Sequence, residues 1–274
     1  MKIQQLYSYI DRLIEKREKK LDGIKIDDTN NNILFLHIPK CGGTSLRYAI
    51  RKTYGNRRKQ ERFCFKLDGS SARKCSQIFE EGNQEYRKKI LAYVMSIEKY
   101  KYIHAHVAYS EPIYQKFGDK WHYITMLRDP LSQWFSQYFY DTREDSEVRI
   151  DSDLETFLDS DRAILMGNTY VRKLTDGIPG LEASQPKAIK QAIENLDKFT
   201  LVGVIEELDI FIKNYNSVFA VPLKVKQFNK NPVSKAKQKQ KITEQVNKKV
   251  REICQPNWEV YQAALKITGK IQKK

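Results

Sequence analysis

The chain has 274 residues and carries 49 Lys and Arg against 34 Asp and Glu, a formal charge of +15. That length suits one large α/β domain, and we expect a single domain over residues 1–274, with anionic partners favoured by the excess of cations. No apolar run approaches membrane-spanning length, which excludes a transmembrane helix, and residues 1–32 hold no apolar stretch that reads as a signal peptide. Cys41, Cys64, Cys75 and Cys254 form no C-x-x-C pair, so reduced thiols and a cytoplasmic location are expected instead of a disulfide framework or a zinc site.

Residues 2 to about 20 place Ile3, Leu6, Tyr7, Ile10, Leu13 and Ile14 on one helical face and Asp11, Arg12, Glu15 and Lys16 on the other. This amphipathic helix either packs on its own domain or makes peripheral contact with a membrane surface, and its mixed charges favour the former. After a polar loop to Asn32 comes the apolar run Ile33 to Leu36, then His37-Ile38-Pro39-Lys40-Cys41-Gly42-Gly43-Thr44-Ser45-Leu46. It reads as a buried strand, an anion-binding loop and a helix. Gly42 and Gly43 permit a tight turn, so the first N–H groups of the helix converge on one point. Lys40 adds a full charge there, the helix dipole a partial one, and Thr44 and Ser45 add hydroxyls. The ATP loop G-x-x-x-x-G-K-[ST] is not met, because the Lys precedes the glycines.

Six cations between Arg51 and Arg62, among them Arg51 and Arg57, face a single acid, Glu61. They form either a solvated surface or the rim of an acceptor groove. No zinc-finger spacing, RNA-binding aromatic motif or recognition helix accompanies them, so we expect no nucleic-acid partner. Residues 84–99 read as a helix, and Tyr102 to Val107 as an extended segment with His104 and His106 on one face. Two such imidazoles could form a metal pair, a structural pair or a general base. His37 and His122 are far away in sequence, so no metal is expected. Trp121 to Leu127 reads as a strand, followed by Arg128-Asp129-Pro130 and a helix that buries Leu131, Trp134, Phe135 and Tyr138. Ser132 and Ser136 share its other side, and a guanidinium with a nearby hydroxyl makes a phosphate clamp. Further on, Asn168 and Arg172 are four apart, and the strand Phe199 to Glu206 ends in an acid that suits a helix start. Nine Lys and one Glu lie between Lys224 and Lys249, the composition of a segment able to close over an anion. Strands alternating with amphipathic helices predict a P-loop-like α/β sandwich with a central, mainly parallel sheet. Ligands of such sheets bind beyond the carboxyl ends of the strands, where the Pro39 and Arg128 loops begin.

The loop resembles the 5′-phosphosulfate loop of sulfotransferases that use 3′-phosphoadenosine 5′-phosphosulfate (PAPS), particularly the carbohydrate-modifying, heparan sulfate 2-O type. The H-x-H segment and the Arg-Asp-Pro helix follow in that family's order. The resemblance implies that Lys40, Cys41, Gly42, Gly43, Thr44 and Ser45 hold the phosphosulfate and that Arg128 and Ser136 bind the 3′-phosphate. It makes His106 the catalytic base, with His104 as support or alternate, and Lys40 the group that neutralises the leaving nucleotide, 3′-phosphoadenosine 5′-phosphate (PAP). Lys230 would belong to a nucleotide-covering loop, and Asn168 and Arg172 would lie near the acceptor, a hydroxyl on a saccharide or glycolipid. No metal is required by that scheme. Two departures are Ala105, where Gly is common, and Gln133, where a second Arg is frequent. A nucleotide or small-molecule kinase, a non-catalytic binder of anionic glycans and a nucleic-acid-binding protein are the competing readings.

Overall fold

A computed structural model describes residues 31–176, 178, 180–226 and 242–268. The expected helix at 2–20, most of the Lys-rich segment and Lys230 lie outside the described residues. Five strands form the sheet: β1 (Ile33–Leu36), β2 (Cys64–Lys66), β3 (Tyr102–Ala105), β4 (His122–Leu127) and β5 (Leu201–Val204). Their order is β2-β3-β1-β4-β5, and every pair is parallel. β1 is central and buried throughout, with helices on both faces of the sheet, which is why it reads as an unbroken apolar run. The expected α/β class with a parallel sheet is the one found.

Helices α1 (Gly43–Thr53), α2 (Arg57–Phe63), α3 (Gly69–Ile78) and α4 (Asn83–Met95) precede β3, and α5 (Glu111–Phe117) follows it. After β4 come α6 (Pro130–Asp141), α7 (Leu154–Leu158), α8 (Asp161–Gly167), α9 (Thr169–Leu174) and α10 (Pro186–Leu196). A short 3₁₀ turn, Ile205–Glu207, links β5 to α11 (Leu208–Phe219), and α12 (Glu244–Ile253) and α13 (Gln255–Thr268) close the described chain. The main core surrounds the sheet. A second cluster joins Trp134, Phe135, Tyr138 and Phe139 of α6 to Phe157 of α7, Met166 of α8 and Val250 of α12. There the Trp134 indole N–H donates to the Ala163 carbonyl at 3.0 Å, so its one polar atom is satisfied in the core. Among the described residues no helix is long and apolar enough to cross a membrane.

Two strands end earlier than the sequence pattern predicts. β3 stops at Ala105, because His106 uses its ring and carbonyl for bonds outside the ladder. β5 stops at Val204, because Glu206 turns to clamp the neighbouring loop.

Candidate anion loop and histidine cluster

β1 delivers its last residue to the carboxyl edge of the sheet, and the chain turns over Pro39 and Lys40 into α1. Lys40 (φ 64°) and Gly42 (φ 72°) both adopt the left-handed conformation. Such alternation turns successive N–H groups to one side, and a Lys held there stores backbone strain of the kind found at ligand clamps. Gly42 caps α1 with no side-chain bond, and the first helical bond is a long one, from Leu46 N–H to the Gly42 carbonyl at 3.4 Å. A helix start of this kind leaves N–H groups without intrahelical partners, the arrangement that suits an anion. A Cβ on Gly42 would lie 2.4 Å from Ile205 Cδ1, and one on Gly43 1.9 Å from His37 Nε2. Both glycines are needed for close approach as well as for the turn.

Lys40 Nζ lies 3.8 Å from the centre of the Tyr140 ring. Burial lowers its pKa to about 8; Asp141 opposes this shift, while Arg128 and Arg143 add to it. Cys41 is buried, with Sγ 3.7 Å from the Tyr170 hydroxyl, and burial pushes its thiol up to about 12, which makes it packing and not a nucleophile. Thr44 and Ser45 are half-buried at the loop.

β4 lies beside β1, so Arg128 emerges next to this loop. Its Nη1 donates to the Lys40 carbonyl at 3.3 Å. The Tyr170 hydroxyl, at the start of α9, donates to the Arg128 carbonyl at 2.5 Å and accepts from the Arg128 N–H at 3.3 Å. Tyr170 is itself held by Asn257 of α13, whose Oδ1 accepts from the Tyr170 N–H at 2.8 Å. Asp129 caps α6 through Ser132 N–H (2.8 Å) and gives its own N–H to Glu206 Oε1 at 3.0 Å. Glu206 Oε2 takes the Tyr261 hydroxyl at 3.1 Å, which makes Glu206 a clamp between loops, in line with a non-catalytic role. Gln133 is 1 % exposed and donates to the Pro39 carbonyl at 3.3 Å. It braces the anion loop from beneath and is no substitute for a ligand-facing Arg. Ser136 is half-buried, and no hydrogen bond joins it to Arg128 among the described residues.

The third feature is a histidine cluster. β1 and β3 pair with Phe35 opposite His104, so the residues just beyond, His37 and His106, also become neighbours. Ring centroids are 4.1 Å apart for His37 and His106 and 4.9 Å for His37 and His104. His106 Nδ1 donates to the His37 carbonyl at 3.0 Å, and this fixes the tautomer, because a carbonyl only accepts. Its Nε2 then carries a lone pair. His37 Nδ1 and His104 Nε2 share a hydrogen bond of 2.8 Å. Burial lowers all three pKa values: His106 to about 3, His104 to about 2, and His37 well below 6.5. The neighbours reinforce this, Lys173 and Arg87 at His106 and Arg47 at His37 and His104.

Sequence distance misled us about the metal question, since His37 lies with the pair and ligand atoms of all three histidines fall within 4.8 Å of one another. Spatially a cation could be held. The charges that act most on the cluster are cations, Arg47, Arg87, Lys66 and Lys173, and they disfavour a further positive charge there. His104 is 2 % exposed and bonded to His37, so it does not serve as an alternate base for an external hydroxyl.

Three further expectations are corrected. Arg51 stands in the last turn of α1, roughly 12 Å along the helix from Gly43, and Arg57 begins α2, which leads into the start of β2. Both therefore sit at the amino edge of the sheet, where Tyr54 bonds the carbonyls of Asn31 and Lys101 ahead of β1 and β3. Arg57 pairs with Glu61 at 3.0 Å and does not line the anion loop. Asn168 is 1 % exposed, with neither amide atom bonded, and presents nothing to an acceptor in this conformation. Arg172 remains partly exposed, and burial lowers the pKa of its guanidinium.

Sequence reasoning missed His37, Arg87, Tyr170 and Lys173. Arg87 donates to the carbonyls of His106 (2.8 Å) and Gly69 (2.9 Å), and Lys173 Nζ donates to Gln84 Oε1 at 3.2 Å. No spacing rule links these residues; the one visible signal was a third histidine inside the loop motif. Comparison of the chain with models of known families and with curated proteins finds no match.

Proposed function

We propose that the chain is a sulfotransferase that moves a sulfuryl group from PAPS to an acceptor hydroxyl. The observation that supports this best is the bond from the Arg128 guanidinium to the Lys40 carbonyl. A guanidinium held in place stands beside a helix start of the anion-binding kind, which suits a nucleotide bearing phosphates at two positions.

In the proposed reaction the acceptor oxygen attacks sulfur and its proton passes to His106 Nε2. The S–O bond to the 5′-phosphate breaks, and the electron pair leaves with PAP. Lys40 neutralises the charge that grows on that phosphate, and the N–H groups at the start of α1 hold the non-bridging oxygens. Arg128 would take the 3′-phosphate. Burial keeps His106 unprotonated at neutral pH, so it can accept, but with a pKa well below the near-neutral value that serves a general base best. A carbohydrate or glycolipid acceptor is consistent with the +15 charge and the cations around the histidines.

Calorimetric titration without magnesium tests the reading. PAP is expected to bind and 5′-AMP to bind far more weakly. Preference for ATP, or no binding of PAP, would overturn it. With donor and acceptor present, His106→Ala is expected to lose on the order of two to four powers of ten in kcat.

A further inference from the structure

His37 is the one histidine with two directed contacts that the proposed reaction has not used. Its carbonyl fixes the His106 tautomer, and its ring stands between His104 and the first residue of α1. The protonation of that ring follows from its neighbours. His104 Nδ1 is fully enclosed; no well-aligned hydrogen bond reaches it, and the one acceptor near it is the backbone of its own residue. A buried N–H without a well-aligned acceptor is rarer than a buried unpaired lone pair, which favours the His104 proton on Nε2, donating to His37 Nδ1. His37, neutral because it is buried, must then carry its proton on Nε2.

That Nε2 abuts Gly43, lying 1.9 Å from where a Cβ would be. Among the described residues it makes no hydrogen bond, and it is not one of the enclosed unpaired atoms. A donor beside the start of α1, unused among the described residues, points to an anion that converges on the same helix start.

We propose that His37 is a catalytic residue whose Nε2–H donates to a non-bridging oxygen of the transferring sulfuryl group, with His104 holding its tautomer. The proposal rests on the sulfotransferase reading. It gives Gly43 a reason beyond turn geometry, since any side chain there would occupy the place of the His37 ring. It also makes the three histidines a unit: His104 orients His37, and His37 orients the base His106 through its carbonyl and the sulfuryl group through its ring.

Two measurements test it. Multiple-bond proton–nitrogen spectra of the unliganded, ¹⁵N-labelled chain are expected to show protonated Nε2 in His37 and His104 and protonated Nδ1 in His106. A proton on Nδ1 of His37 would overturn the proposal, and this readout needs no ligand and no variant. In the second, His37→Asn keeps a polar atom near the Nδ1 position and removes the Nε2 donor, whereas His37→Gln places an amide near Nε2. We expect His37→Asn to lose on the order of 10² to 10³ in kcat with PAP affinity unchanged, and His37→Gln to recover part of it. Equal kcat for both variants and the unmodified chain would overturn the proposal. If His37→Asn does not fold, as judged by its melting transition, the nitrogen spectra decide. Failure of the unmodified chain to bind PAP would instead overturn the sulfotransferase reading itself, and the two failures are separable because the tautomers are read without ligand.

Discussion

The Tyr170 hydroxyl bonds both the carbonyl and the N–H of Arg128 and lies 3.7 Å from Cys41 Sγ in the anion loop. One buried phenol thus sets the spacing between the two segments proposed to hold phosphates. Tyr170→Phe keeps the ring and removes only these bonds. It is expected to cost about 1 to 3 kcal/mol of stability, because the Arg128 backbone groups lose a partner. It should weaken PAP more than 5′-AMP, as the displaced group is Arg128. Equal weakening of both nucleotides would count against the spacing role.

Lys40 should impose a basic limit on activity. Its free-enzyme pKa of about 8 means that the cation is lost as pH rises through 8, and kcat/KM, which reports the free enzyme, should fall there. No acid limb is expected near 6.5, because His106 stays neutral down to about pH 3. Lys40→Arg should remove the basic limb, since a guanidinium does not titrate in this range, at a lower maximal rate. A pH–rate profile from 5 to 9.5 checks both.

The histidines should make the fold sensitive to acid. Above pH 6.5 folded and unfolded chains are both unprotonated at these sites, and their contribution to stability is complete. Below it the unfolded chain takes up protons that the folded chain refuses, because His104 and His106 are lowered to about 2 and about 3 and His37 is lowered too. Stability should therefore fall by about 1.4 kcal/mol per pH unit for each such histidine as pH drops below 6.5. Urea unfolding at pH 7 and pH 5 should show a smaller fall for His104→Gln than for the unmodified chain.

Gly43→Ala should be more damaging than Gly-to-Ala changes in ordinary turns. The new methyl would meet the His37 ring at 1.9 Å, so the ring or the helix start must move. We expect a loss of about 1 to 3 kcal/mol in stability from the overpacking, measured by thermal melting, together with a fall in kcat.

The Arg51 and Arg57 region supplies the converse test. Arg57→Ala removes an exposed pair at the amino edge of the sheet and is expected to change stability by less than about 1 kcal/mol and PAP binding not at all. A clear loss of PAP affinity would contradict the topology described for α1 and α2.

The strand, loop and helix from Ile33 to Thr53 were legible in the sequence because each is decided locally. An unbroken aliphatic run marks a strand covered on both faces, Gly42 relieves a positive φ, and apolar spacing marks a packed helix. The strand ending at Leu127 and the Pro130 helix were legible for the same reason. Parallel connection followed from the alternation of elements, and with it the edge of the sheet that carries the loops.

What only the tertiary structure decided depends on register and strand order, which no local pattern encodes. Placing β1 between β3 and β4 set Arg128 against the anion loop and His37 against His104 and His106. Burial then made neutral imidazoles of groups that the sequence alone leaves half charged near neutrality, because removing water penalises the charged form. The length of α1 did the opposite for Arg51, carrying a cation that adjoins the motif in sequence to the far edge of the sheet.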